Sequence, residues 1–229
     1  MILRTITTTS LLLLLLCAAN LPLSGEPMSF DQYLCRITPP AGWQRADVGN
    51  PPVGVSLLAV QSPSGKSRLA LVVLPIQRTF TLDDPTFVES LRESIMGKLH
   101  GVSCTFGELA GVKSLQCKGA LPQDPAMKMT MTAAVANGYG YVLTAVGPET
   151  EIATPEAAGF FNSFSFIGPP AEHQSDGTDA AGRPLATESD SPLGTAFLKY
   201  FLPLLAVVVL TYVISFVSAR NEKRKQQQG

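Results

Sequence analysis

The sequence predicts an α+β domain, an antiparallel sheet sandwiched by helices, followed by one transmembrane helix. Three observations carry this. Hairpin signals recur along the middle of the chain, an apolar stripe at helical spacing lies between them, and the run Tyr200 to Ala219 near the carboxyl end has no formal charge. The chain has 229 residues, 45% of them apolar, and a formal charge of −1, but the apolar residues are unevenly spread. Residues 1–25 read as a signal peptide, 26–168 as one domain, 169–195 as a linker, 196–219 as a membrane helix and 220–229 as a basic tail. This partition argues against a wholly disordered chain, a polytopic transporter and a large multidomain enzyme.

The start has the secretory pattern: Arg4, then the short apolar run Leu11 to Leu16, then Cys17-Ala18-Ala19-Asn20. That run is too short to cross about 30 Å of hydrocarbon as a helix. Cleavage fits after Ala19 or Gly25. Bacterial lipidation at Cys17 would need a small residue before it, and Leu16 stands there, so Cys17 reads as part of the discarded peptide.

In the domain, Val53 to Val60 and Arg68 to Pro75 are β-rich and flank Ser62-Pro63-Ser64-Gly65-Lys66-Ser67, a hairpin loop. Asp84-Pro85 opens a helix, because Asp84 can cap the exposed amides and Pro85 suits the first helical position. Phe87, Leu91, Ile95 and Leu99 form its apolar stripe, with Gly101 as its expected end. Phe106 to Leu109 and Val112 to Lys118 flank the turn Ala110-Gly111; Met127 to Ala136 and Tyr139 to Val146 flank Asn137-Gly138. The second turn is the strongest hairpin signal in the chain, since both residues tolerate the positive φ of a type I′ turn. Thr154-Pro155-Glu156 starts a short second helix, and Ser163 to Phe166 reads as a closing strand.

Residues 169–195 are rich in Pro, Gly, Ser, Thr and Asp, with no aromatic residue, which predicts a flexible tether. Tyr200 to Ala219 is long enough at 1.5 Å per residue to span a bilayer. Pro203 falls in its first turn, Lys199 can snorkel outward, and Arg220, Lys223, Arg224 and Lys225 follow its far end. Positive residues stay inside, so the expected location is the cytoplasmic (inner) membrane, single-pass, with the domain outside in the periplasm and the carboxyl terminus in the cytoplasm. Residues 26–195 are net acidic, so there is no electrostatic footprint for nucleic acid.

The order of elements, together with Pro40-Ala41-Gly42-Trp43 near the start and Phe160-Phe161-Asn162-Ser163-Phe164-Ser165-Phe166 at the close, resembles the PsbP-like superfamily. That group includes the photosystem extrinsic protein, the Ran-binding import factor Mog and bacterial envelope proteins of the DcrB type. The resemblance covers about Met28 to Ile167. It implies an α/β/α sandwich and a binding, adaptor or assembly role, and it brings no shared catalytic motif. The signal peptide and anchor depart from the cytosolic and nuclear members.

Of the remaining cysteines, Cys104 and Cys117 face one another if Ala110-Gly111 is a two-residue turn. A disulfide between them is admissible in an oxidising compartment, and two small buried hydrophobes are the alternative. Cys35 reads as a core position. His100 reads as a residue at a helix end, beside Gly101. No Cys-x-x-Cys, H-E-x-x-H, G-x-S-x-G or phosphate-cradling loop occurs. Asp83 and Asp84 are explained by capping. Met127, Met129 and Met131 share one strand face, which suits a core better than a Met-lined copper site, and Trp43 reads as core. No catalytic residue, metal site or cofactor is therefore expected. The expected function is a membrane-anchored extracytoplasmic binding, adaptor or assembly module with a protein partner at the membrane surface. The competing expectation is an envelope enzyme using Cys35 or His100.

Overall fold

The computed structural model describes residues 25–46, 54–76 and 80–171. Two antiparallel sheets organise them. The smaller consists of β1 (Met28–Phe30), β2 (Cys35–Ile37) and β10 (Ser165–Phe166), in the order β1-β2-β10. The larger contains β3 (Gln44–Arg45), β4 (Val55–Gln61), β5 (Arg68–Pro75), β6 (His100–Leu109), β7 (Val112–Leu121), β8 (Asp124–Ala136) and β9 (Tyr139–Pro148). Its spatial order is β3-β4-β5-β9-β8-β7-β6, so β9 closes the gap between the first hairpin and the later ones. The helices are α1 (Pro85–Met96), the single turn α2 (Glu149–Ile152) and α3 (Pro155–Asn162).

Local chemistry explains most boundaries. Ala110-Gly111 and Asn137-Gly138 have φ values of 52° and 83°, and 55° and 77°, the left-handed pair that a type I′ turn requires. Asp84 Oδ1 accepts from the amides of Thr86 (2.8 Å) and Phe87 (3.3 Å), satisfying two donors at the start of α1. The end of α1 differs from expectation. The helix stops at Met96 with Gly97 as its cap, and Gly101 lies in β6. Leu99 remains buried with the stripe although it sits in the connection, which is why periodicity alone overran the helix. His100 is accordingly the first residue of a strand. A further antiparallel pair, β7 with β8, adds a hairpin beyond the three that the turn signals marked.

Both faces of the larger sheet carry apolar side chains. On one, Phe87, Val88, Leu91 and Ile95 of α1 pack on Val72, Leu74, Leu115, Met127, Met129, Met131 and Val142. On the other, Leu69, Leu71, Val73, Tyr141, Leu143 and Ala145 pack against Phe160 of α3 and against Cys35, Ile37 and Phe164 from the region of the smaller sheet. Tyr141 is fully buried, and its hydroxyl donates to the Tyr33 carbonyl at 2.8 Å, while burial pushes its pKa above the usual phenolic value. The second face is thus covered by a short helix and a small sheet together, a correction to a sheet sandwiched by helices alone. The signal peptide, the span 196–219, the tail with Arg220, Lys223, Arg224 and Lys225, and the linker beyond Ala171 lie outside the described residues. Among the described residues no helix is long and apolar enough to cross a membrane.

Candidate functional site

The cover on the second face is incomplete. Along β8, Ala134 and Ala136 belong to the core, whereas Lys128, Thr130 and Thr132 on the same face line an open groove. Register places the groove floor in rows across three strands. Ser103 of β6 faces Lys118 of β7, which faces Thr130 of β8; Thr105, Gln116 and Thr132 form the next row. Lys128 faces Ala120, one diagonal step from Lys118. The groove encloses about 860 Å³, within the size range of ligand sites. Its wall is the α2–α3 segment, which contributes Glu149, Ile152 and Phe161.

That wall is fastened from behind. Glu151 of α2 accepts hydrogen bonds from Ser67 Oγ (2.8 Å), Ser64 Oγ (2.8 Å) and Ser62 Oγ (3.2 Å), all from the β4–β5 loop. Desolvation raises the Glu151 pKa, but the serine hydrogen bonds and the nearby Lys66 outweigh it and hold the carboxyl below its ordinary value. Gly147 makes the clasp possible, because a β-carbon there would collide with Ser67 Oγ. Thr154 continues the support: it caps α3 by accepting from the Ala157 amide, and its hydroxyl donates to the Glu151 carbonyl.

The floor's outer edge is fastened covalently. Cys104 and Cys117 are bonded, with a Cα separation of 4.1 Å. Counting from the turn-closing pair Leu109 and Val112, Cys104 and Cys117 occupy a non-hydrogen-bonded position, the kind that brings Cα atoms to about 4.5 Å. The backbone groups of Cys104 consequently point outward, and Arg92 of α1 donates to its carbonyl at 3.3 Å.

The other residues singled out from the sequence occupy separate places. Cys35 is fully buried in the second core, where desolvation pushes its thiol up to about 12, so it is held as a thiol rather than as the nucleophilic thiolate. His100 stands at the groove lip, and its side chain forms no hydrogen bond or ion pair among the described residues. The structure does not bring the two together. Asp83 pairs with Lys113, whose ammonium also lies over the Phe106 ring at 4.7 Å. Trp43 and the three methionines are core residues. No group of three or more His, Cys, Asp or Glu side chains suited to a metal occurs among the described residues.

Sequence reasoning missed Lys118, Lys128, Ser103, Gln116, Thr130 and Thr132 as a group. Their signal was present: Met127-Lys128-Met129-Thr130-Met131-Thr132 alternates strictly, so the polar set has its own face. What the alternation leaves open is whether that face is covered.

No protein-family profile and no curated protein matches the chain. Among solved structures, a crystal structure from Bacteroides thetaiotaomicron VPI-5482 is similar at 9% identity and a TM-score of 0.46, over 63% of this chain and 49% of that one. The chain therefore spans about half the length of that protein. The solution structure of cyanobacterial PsbP (CyanoP) from Synechocystis sp. PCC 6803 is similar at 15% identity and a TM-score of 0.44, over 63% of this chain and 94% of that one. At these identities the likeness concerns the fold alone.

Proposed function

We propose that this chain is a PsbP-like, membrane-anchored binding or adaptor module. It acts at the outer side of the cytoplasmic membrane, engages a protein partner and performs no catalysis. The observation that carries this reading is the groove, in which a sheet face that is buried elsewhere is left open, polar and braced on two sides. A surface held rigid yet uncovered is suited to recognition, because little ordering entropy is lost when a partner docks. The charge-free span and its basic flank support the anchoring, since together they fit a crossing with the tail inside.

The test places a photocrosslinking side chain at Thr130 on the groove floor, or at exposed Glu93 on α1, in the full chain in intact cells. The expected result is one recurrent protein adduct from position 130 and none from position 93, with the domain degraded by protease added outside sealed cells. Equal adducts from both positions, or a domain spared by that protease, overturns the reading.

A further inference from the structure

We infer that the groove recognises an extended segment of a partner protein that carries two carboxylates two residues apart; this rests on the binding reading above and names its partner chemistry. Lys118 and Lys128 sit on adjacent strands and share one face. Neither side chain forms an ion pair or hydrogen bond among the described residues. Two uncompensated ammonium groups above a floor of hydroxyls form a surface complementary to negative charge, and such complementarity governs encounter rate and register. Glu149, the acidic residue of the lining, stands on the wall rather than the floor.

Spacing selects the form of the anion. The β-carbons of diagonal neighbours on paired strands lie somewhat less than about 7–8 Å apart. Side chains at i and i+2 of an extended peptide repeat at about 6.6 Å on one side. A strand bearing acid-x-acid therefore sets one carboxylate over each lysine. A compact anion, by contrast, would have to draw both flexible side chains onto one point. Ser103 and Thr130, in the Lys118 row, can donate to the carboxylate there, and Ile152 and Phe161 on the wall supply an apolar contact for a flanking residue.

The full chain in detergent micelles is titrated with a fluorescent octapeptide holding two glutamates two residues apart beside a leucine, and with its diglutamine counterpart. The acidic peptide is expected to bind about tenfold more tightly, a difference that shrinks with added salt. Lys118→Glu/Lys128→Glu should abolish the preference, while the charge-matched control Lys98→Glu/Arg45→Glu retains it. Equal binding of the two peptides, or equal loss in the control, overturns the inference. So does a tenfold gain in affinity on Glu188→Gln/Asp190→Asn, which would make the chain's own acid-x-acid segment the occupant. A positive crosslink from position 130 with a negative titration would strike only the acid recognition and leave the adaptor reading standing.

Discussion

Two regions of one sheet face follow opposite rules. Where Tyr141, Leu143 and Ala145 meet Phe160 and Phe164, every side chain is buried and the register is fixed by packing. On the neighbouring strands β7 and β8, Gln116, Lys118, Lys128 and Thr130 line the open groove, and the floor is held instead by a disulfide at its outer edge and a serine clasp behind its wall. The difference shows how a small domain can keep an uncovered patch rigid: it relocates the restraint from the patch to its margins.

The largest expected effect sharpens this contrast. Phe160→Ala should cost about 3–5 kcal/mol, because a fully buried ring is lost and the covered region cannot collapse fully. Lys118→Ala should change stability by less than about 0.5 kcal/mol. Urea denaturation of both variants measures the gap, and similar costs would erase the distinction between covered and open regions.

Next in size is the margin. Replacing both bridge cysteines, Cys104→Ala/Cys117→Ala, should cost about 3 kcal/mol, the value expected for closing a loop of this length. Hydrogen exchange should then accelerate in β6 and β7 and little in β4 and β5. A uniform acceleration would mean that the bridge supports the whole domain rather than the open edge.

The smallest effect concerns the clasp. Glu151→Gln should cost about 1 kcal/mol at neutral pH, from hydrogen bonds to a charged acceptor discounted for solvent screening. The native carboxyl titrates below its unfolded value, so its contribution is full above that value, about 4.3, and is lost as pH falls through the lower native one. The stability difference between wild type and variant should therefore be flat near neutrality and close below about pH 4. A difference that persists in acid would show that the serines bind the uncharged group equally well.

The local features were legible because they depend on neighbouring residues. Asn137-Gly138 names its turn, Asp84-Pro85 names its helix start, and a two-residue turn at Ala110-Gly111 fixes Cys104 opposite Cys117 by counting. The end of α1 was misread because Leu99 continues the stripe from outside the helix. The groove was illegible for a deeper reason. Its openness depends on β9 inserting between β5 and β8, and on β10 returning to β2, pairings that bring distant segments together and leave no trace in any short window. The clasp was hidden similarly, since Ser62, Ser64 and Ser67 read as ordinary loop residues until Glu151 arrives from far along the chain.

Ala171 shares two hydrogen bonds with Asn137: its carbonyl accepts from the Asn137 backbone amide, and its own amide donates to Asn137 Oδ1. The last described residue is thus held at the β8–β9 turn, nine strand residues from Lys128, or about 30 Å at 3.3 Å each. Ala171 and the cationic groove floor therefore lie toward opposite ends of β8. A bulky label attached at residue 171 should then leave peptide titration at the groove unchanged.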